Sequence, residues 1–247
     1  MPCILHIDTS TDVCSAALTN NGVVVEEKVS YEGHSHASLL GLYVADCLKS
    51  AKENGLSLDA VAVSSGPGSY TGLRIGVSMA KGICFGLGIP LISVPTLELL
   101  ASTAIRNYPE SDALYCAMLD ARRMEVYAAI YNQRREQVRE VKADIVTAET
   151  YAPYLNEGKV CFFGNGSGKC KSVIEHPNAV FIPDVHPIAA QMMSLAEERY
   201  ANRQFEDVAY FEPFYLKEFQ ATIAKNKVLG EVLYPHKSVS YTHLTLP

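Results

Sequence analysis

The sequence lacks two features that would quickly narrow its class, paired cysteines and long apolar runs. Its seven cysteines are scattered without a C-x-x-C pair, and most of them lie inside apolar segments. This pattern predicts reduced cysteines that fill a core rather than a disulfide framework. The longest apolar run, residues 83–94, is interrupted by Gly86, Gly88 and Pro90, so it is too short to span a membrane. We therefore expect a cytoplasmic protein without a membrane partner.

Positive charge is also scarce. The formal net charge is −6 at pH 7 and the sequence pI is about 5.7. Proteins that bind nucleic acid unaided usually carry a basic face, so this balance argues against such a role. Nucleic acid held by a partner protein stays open.

Signatures of catalysis are missing as well. No H-E-x-x-H or H-x-x-x-H motif occurs, and His34 and His36 are two residues apart, so they point in different directions and do not form a metal pair. No serine lies in a G-x-S-x-G elbow. The run GNGSGK after Phe163 has neither the spacing of a dinucleotide fingerprint nor the G-K-[ST] of a P-loop, so it indicates only a backbone turn that something approaches closely. The sequence offers no complete set of nucleophile, base and orienting residue.

The segments that are present alternate between buried strands and helices. Asn21-Gly22 between β-branched runs predicts a hairpin, and helical patterns cover residues 35–54, 70–87 and 96–105 and the segment after Pro187. Each half opens with strand, aspartate, turn and strand, which predicts two related α/β lobes. We place the lobes at residues 1–105 and 106–229. Residues 230–247 are expected to be a disordered tail, of which 239–247 resemble a cloning scar.

One candidate site is the loop Asp8-Thr9-Ser10-Thr11 at the end of the first strand. An aspartate at a strand end, followed by hydroxyl residues in a turn, can hold a phosphate or a metal-bound water. The same residue types also fold their side chains onto the backbone of tight turns without any ligand. The four residues alone leave both interpretations open.

A second candidate site is the helix that begins at Tyr70. Gly72, Gly76 and Ala80 share one of its faces, and because a glycine inside a helix costs about 1 kcal/mol, the pattern indicates a close approach. The preceding helix carries surplus apolar residues, Leu39 and Leu42, away from its main stripe. These faces either contact a partner protein or simply pack on their own sheet.

Three segments together resemble the TsaB (YeaZ) family of the tRNA threonylcarbamoyladenosine system. They are ILHIDTSTDVCSAAL, SSGPGSYTGLRIGVSMAKGI with PLISVPTLELLA, and DARRMEVYAA. The resemblance implies an actin-like ATPase fold (the ASKHA class), with two lobes that each contain a mixed sheet flanked by helices. It also implies that the last helix packs back on the first lobe.

The resemblance implies a non-catalytic subunit. Its partners would be a TsaD-like catalytic subunit and a TsaE-like ATPase, with tRNA bound only through the complex and a homodimer formed when the chain is alone. The complex would transfer threonylcarbamoyl from threonylcarbamoyl-AMP to the adenosine beside the anticodon. The partner surface would lie on helices of the first lobe, and its residues would be Leu39, Leu42, Tyr43, Gly72, Leu73, Gly76 and Ala80.

The family resemblance also implies what this chain has lost. TsaD carries a metal-binding pair of histidines after the strand that corresponds to PLISV, and this chain has Pro95-Thr96-Leu97-Glu98-Leu99-Leu100 there. The metal would therefore belong to TsaD, this chain would need no cofactor, and Asp8 to Thr11 would be a degenerate phosphate loop. Weak ATP or ADP binding stays open. The alternatives are a glycoprotease-like peptidase, an independent nucleotide-dependent enzyme, and a homodimer with a separate role.

Overall fold

A computed structural model describes residues 2–33 and 35–217. In this part of the chain, strands and helices form two five-stranded mixed sheets. The first sheet has the order β3-β2-β1-β4-β5, with β1 Cys3–Asp8, β2 Cys14–Asn20, β3 Val23–Ser30, β4 Ala60–Gly66 and β5 Leu91–Pro95. The second has the order β10-β9-β6-β7-β8, with β6 Leu114–Asp120, β7 Glu125–Tyr131, β8 Gln137–Ile145, β9 Val160–Phe163 and β10 Ala179–Phe181.

The two sheets share one topology. In each, the first three strands form an antiparallel meander, the fourth pairs parallel with the first, and the fifth pairs parallel with the fourth. The repetition confirms the prediction of two related α/β halves, and the architecture is the actin-like fold that the resemblance implied. The predicted hairpin is also present, because Asn21 and Gly22 both have positive φ in the turn between β2 and β3.

Six helices flank the sheets in the described residues. They are α1 His36–Glu53, α2 Tyr70–Leu87, α3 Thr96–Asn107, α4 Ala152–Glu157, α5 Ser167–Cys170 and α6 Met193–Ala201, with a 3₁₀ turn at Ala189–Met192 before α6. The predicted bounds of α2 are confirmed. Ser69 caps its N-terminus by accepting a hydrogen bond from Gly72 N, and Gly88 ends it in the left-handed conformation. No helix in these residues is long and apolar enough to cross a membrane.

Each face of the first sheet packs on a different set of helices. Leu5 and Ile7 of β1 face Leu40 of α1 and Val77 of α2, while the opposite face carries Ile4. Leu99 of α3 and the residues Met192, Leu195 and Ala196 cover that second face. The last described helix therefore lies on the first sheet, although it follows the second sheet in the chain.

The helix α3 contributes to both halves. Leu97, Leu100 and Ala104 pack against the second sheet, while Leu99 packs against the first. All seven cysteines are buried and unpaired, which confirms the prediction of reduced, core-filling cysteines. The predicted end of the second lobe at residue 229, the tail 230–247 and the proposed scar 239–247 lie outside the described residues.

Residues 202–217, here called the return segment, cross back over the first sheet. Glu206 N donates to Leu91 O at 2.9 Å, and Phe214 N donates to Ser65 O at 2.7 Å. Lys81 Nζ of α2 donates to Phe211 O at 2.9 Å. The segment is therefore tied to β5, to the end of β4 and to α2.

Candidate functional site

The outward faces of α1 and α2 form an apolar surface, here called the α1/α2 surface. Leu42 is 62% exposed, and Leu39 and Tyr43 are partly buried beside it. On α2, Ile75, Met79 and Ile83 are partly exposed and line a shallow groove of about 760 Å³. Apolar side chains that stay in contact with water on adjacent helices are typical of a protein–protein contact. The structure therefore leaves Leu39, Leu42 and Tyr43 available at the surface.

The structure places Gly72, Leu73, Gly76 and Ala80, which were predicted to contact a partner protein, in the interior and not at the surface. The close approach that the glycines permit is made by the chain itself, because a Cβ at Gly72 would overlap the carbonyl oxygen of Thr9 and one at Gly76 would overlap its hydroxyl. The stripe signalled close packing correctly, but the neighbour is the loop after β1. On the outward face, Gly82 has open space around its Cα.

The loop Asp8 to Thr11 is closed against α2. All four residues are buried. Thr9 Oγ1 donates to Gly72 O at 2.7 Å, and Ser69 N donates to Ser10 O at 2.7 Å. Ser10 N and Oγ both donate to Asp8 Oδ1 at 3.1 Å. The hydroxyls of Thr9 and Ser10, which could bind a phosphate, therefore donate to atoms of the chain.

Burial changes the protonation of two groups on β1. It raises the pKa of Asp8 to about 7, although the hydrogen bonds from Ser10 oppose this shift. It lowers the pKa of His6 to about 3, and His6 Nε2 lies 2.8 Å from Thr19 Oγ1 while Nδ1 has no partner. The strand that leads into the loop therefore carries a buried carboxyl and a buried neutral imidazole.

The segment that the resemblance aligned with the TsaD histidines begins α3. Glu98 lies there, and its Oε2 accepts a hydrogen bond from Arg199 Nη2 of α6 at 2.6 Å. The guanidinium thus occupies one side of the carboxylate. Within residues 2–33 and 35–217, no cluster of three or more His, Cys, Asp or Glu side chains is arranged to hold a metal ion.

The glycine turn after Phe163 serves internal packing. A Cβ at Gly164 would overlap Met118 O, and one at Gly166 would meet the backbone of Leu119 and Asp120. The close approach predicted for this turn is therefore made by the end of β6. Sequence patterns do not reveal the roles of Arg199 and the return segment, because neither lies in a motif and both contact residues more than a hundred positions away.

Comparison with known proteins agrees with this architecture. The sequence model of the family described as "TsaD: tRNA N6-adenosine threonylcarbamoyltransferase" matches residues 22–225. The "tRNA threonylcarbamoyladenosine biosynthesis protein TsaB" of Escherichia coli (strain K12) is 31% identical, over 92% of this chain and 99% of that protein. The TsaB protein of Bacillus subtilis (strain 168) is 32% identical, over 70% of this chain and 75% of that protein.

A solved structure gives the same result for the fold. "YeaZ from Pseudomonas aeruginosa" superposes with a TM-score of 0.73 and 29% sequence identity, and the match covers 87% of this chain and 100% of that chain. The chain is therefore similar to these proteins both in sequence and in structure, and both similarities cover most of its length. The chain belongs to the TsaB (YeaZ) family of tRNA threonylcarbamoyladenosine biosynthesis proteins.

Proposed function

We propose that this chain is the non-catalytic subunit of the complex that makes N6-threonylcarbamoyladenosine in tRNA. In this role it binds a TsaD-like catalytic subunit through the α1/α2 surface and organises it for threonylcarbamoyl transfer from threonylcarbamoyl-AMP to the adenosine beside the anticodon. The observation that carries the proposal is the exposed apolar face of two neighbouring helices, with Leu42 on α1 and a groove lined by Ile75, Met79 and Ile83 on α2. A TsaE-like ATPase joins the same cytoplasmic complex, and this chain contacts tRNA only as part of that complex.

The environment of Glu98 supports a non-catalytic role. Leucines flank Glu98 where the resemblance places the TsaD histidines, and leucine cannot ligate a metal. The carboxylate itself is bound by Arg199. We therefore assign the metal and the transfer chemistry to the TsaD-like subunit.

The closed loop supports a chain that needs no nucleotide. Phosphate binding requires free backbone N–H groups or hydroxyls. In the loop Asp8 to Thr11, the hydroxyl of Thr9 already donates a hydrogen bond to Gly72 O, and that of Ser10 donates one to Asp8. All four loop residues are also buried, and Thr9 lies against α2. We expect ATP and ADP at millimolar concentration to leave its thermal stability unchanged.

The same surface accounts for the expected homodimer. In a symmetric dimer the same patch is used by both copies, so binding to itself and binding to a TsaD-like subunit exclude each other on this surface. We expect the dimer to be replaced by a one-to-one complex when the TsaD-like subunit is added.

The test compares two aspartate substitutions at equally exposed apolar residues. Leu42 is 62% exposed on α1, and Val23 is 63% exposed on the edge strand β3. We expect Leu42→Asp to weaken binding of the TsaD-like subunit by more than about tenfold, since burying an unpaired carboxylate costs more than about 1.4 kcal/mol. Val23→Asp should bind as the unchanged chain does. Calorimetric titration and light scattering after size-exclusion chromatography measure both.

Two results would contradict the assignment. One is unchanged affinity in Leu42→Asp together with a normal unfolding curve, which would move the partner surface elsewhere. The other is the absence of any complex, even with the TsaE-like ATPase and ATP added. A loss of binding caused by misfolding is recognised by circular dichroism of the same sample.

A further inference from the structure

A second, more enclosed cavity shares no lining residue with the groove on α2. Its volume is about 430 Å³, and it is lined by the end of β4, the start of α3, the β7–β8 hairpin and Phe214 of the return segment. Ser65 and Tyr131 line it and are only 8% and 4% exposed. Neither hydroxyl has a hydrogen-bond partner among the described residues.

The hydroxyls of Ser65 and Tyr131 have hydrogen-bonding capacity that the described residues do not use. Buried polar side chains in folded proteins almost always have a hydrogen-bond partner, from the protein, from water or from a ligand. Ser65 and Tyr131 are nearly buried as residues, but their hydroxyl oxygens are not among the fully buried atoms that lack a partner, so they face the cavity, where water or a polar ligand can bind them. The tyrosine hydroxyl is also a donor at every physiological pH, since burial raises the pKa of Tyr131 above its ordinary value.

The cavity carries one group of each charge. Glu98 and Arg135 both line it, and each uses only part of its hydrogen-bonding capacity within the chain. Glu98 Oε2 is bound by Arg199, which leaves Oε1, and Arg135 Nη2 is bound by Glu198, which leaves Nη1 and Nε. A ligand with a single charge would satisfy one of these groups and be repelled by the other. A ligand with both charges satisfies both.

Apart from Gln137, the rest of the wall is apolar. Pro67, Leu97, Val141 and Phe214 line it, and they can contact an aliphatic or aromatic side chain. A pocket that is largely apolar with a few convergent polar groups is typical of small-molecule sites. Its volume accommodates a single amino acid together with ordered water.

We propose that this cavity binds a free L-α-amino acid. The carboxylate is held by Arg135 and the two hydroxyls, the ammonium group is held by Glu98 with the side-chain carbonyl of Gln137, and the side chain contacts the apolar wall. The return segment, through Phe214, contributes one wall, so binding stabilises the contact between this segment and the end of β4. The proposal does not depend on the partner surface.

The experiment measures thermal unfolding of the full chain with each of the proteinogenic L-amino acids, up to about 10 mM. A ligand at a hundred times its Kd stabilises a protein by about 2.7 kcal/mol, so binding gives a clear rise in Tm. We expect at least one L-amino acid to raise Tm in a saturable way. Its N-acetyl and C-amide derivatives, which each lose one charge, should bind more than about tenfold more weakly.

Variants locate the site. Tyr131→Phe removes one hydroxyl, and Arg135→Gln removes the cation at little cost to stability because its ion pair is exposed. Both should weaken binding about tenfold or more. The matched control is Tyr127→Phe on the same strand, which does not line the cavity and should leave affinity unchanged.

Three results would overturn the proposal. The first is no change in Tm and no change in backbone amide NMR spectra with any amino acid. The second is undiminished binding in Tyr131→Phe and Arg135→Gln. The third is saturable binding of adenosine or AMP in place of amino acids, which would show that the cavity selects a planar ring and not paired charges.

Discussion

The packing of α2 on the loop after β1 predicts that glycines of one helix respond in opposite ways to the same substitution. An alanine Cβ at Gly72 would lie 2.1 Å from Thr9 O, which is a backbone atom that cannot move alone. An alanine at Gly82 would meet nothing within 4 Å. Both substitutions gain about 1 kcal/mol of helix propensity, so their difference reports the contact with the loop.

The magnitudes follow from these distances. Gly82→Ala should stabilise the chain by the full gain in helix propensity, which raises Tm by about 2 to 4 °C for a domain of this size. At Gly72 the overlap forces the loop away from the helix, and overpacking of this kind costs about 1 to 3 kcal/mol or more, which outweighs the gain. At Gly76 the nearest atom is Thr9 Oγ1, which can rotate away by giving up its bond to Gly72 O at a cost of about 1 kcal/mol. The expected order of stability is therefore Gly82→Ala, unchanged chain, Gly76→Ala and Gly72→Ala.

Urea unfolding followed by circular dichroism measures this order, and a double-mutant cycle tests its cause. Thr9→Ala removes the hydroxyl, after which the nearest loop side-chain atom to a Cβ at position 76 is the Thr9 Cβ, at 3.5 Å. Thr9→Ala and Gly76→Ala together should therefore cost at least about 0.5 kcal/mol less than the sum of the single changes. Additive costs, or equal stability of Gly72→Ala and Gly82→Ala, would refute the packing of the loop against α2.

Further predictions concern buried ionisable groups. The unfolded chain protonates His6 below about pH 6.5 while the folded pKa is about 3, so stability falls as the pH drops from 6.5 towards 3, and His6→Gln should reduce this loss. Asp8 behaves in the opposite way: its pKa rises from 3.8 to about 7 on folding, so stability falls as the pH rises from 3.8 to 7. Asp8→Asn should therefore be more stable than the unchanged chain at pH 8, by up to about 4 kcal/mol, and similar to it at pH 4, as measured by urea unfolding at both pH values. In the second half, Asp144 accepts from Arg139 at 2.6 Å and from Tyr151 Oη at 2.8 Å, so Asp144→Asn should cost about 3 to 5 kcal/mol and Tyr151→Phe about 1 to 2 kcal/mol in the same assay. Equal costs for the last two substitutions would show that the ion pair is not buried as described.

Local signals predicted most of the architecture. The Asn21-Gly22 turn and the cap and stop residues of α2 are each specified by a few neighbouring residues, so their structures could be predicted from the sequence. The six-residue helix α4 was not predicted, because a single turn and a half carries no measurable periodicity. The helix expected after Pro187 is divided into a 3₁₀ turn and α6, and its docking on the first sheet depends on contacts across the chain.

The candidate sites depended on information that a sequence pattern does not contain. A stripe of small residues shows that a neighbour approaches closely, but it does not show whether the neighbour is the same chain or another. In α2 the neighbour is Thr9, sixty-three residues before the Gly72 carbonyl to which it donates. The pairing of Glu98 with Arg199 is separated by a hundred and one residues and is invisible for the same reason.

The two faces of α2 have different roles, and this difference connects the closed loop with the proposed partner contact. The inner face carries Gly72 and Gly76 and allows the loop to reach the helix, while the outer face carries Ile75 and Met79 and stays open to solvent. Because the helix is rigid, a change on the inner face alters stability without altering the outer surface of the folded molecules. Gly76→Ala should therefore lower the free energy of unfolding yet leave the affinity of the folded protein for a TsaD-like subunit unchanged. Leu42→Asp should lower this affinity and leave the free energy of unfolding unchanged. If Gly76→Ala weakened binding in calorimetry under conditions where it is fully folded, the loop and the partner surface would be coupled, and closure of the loop would be part of assembly.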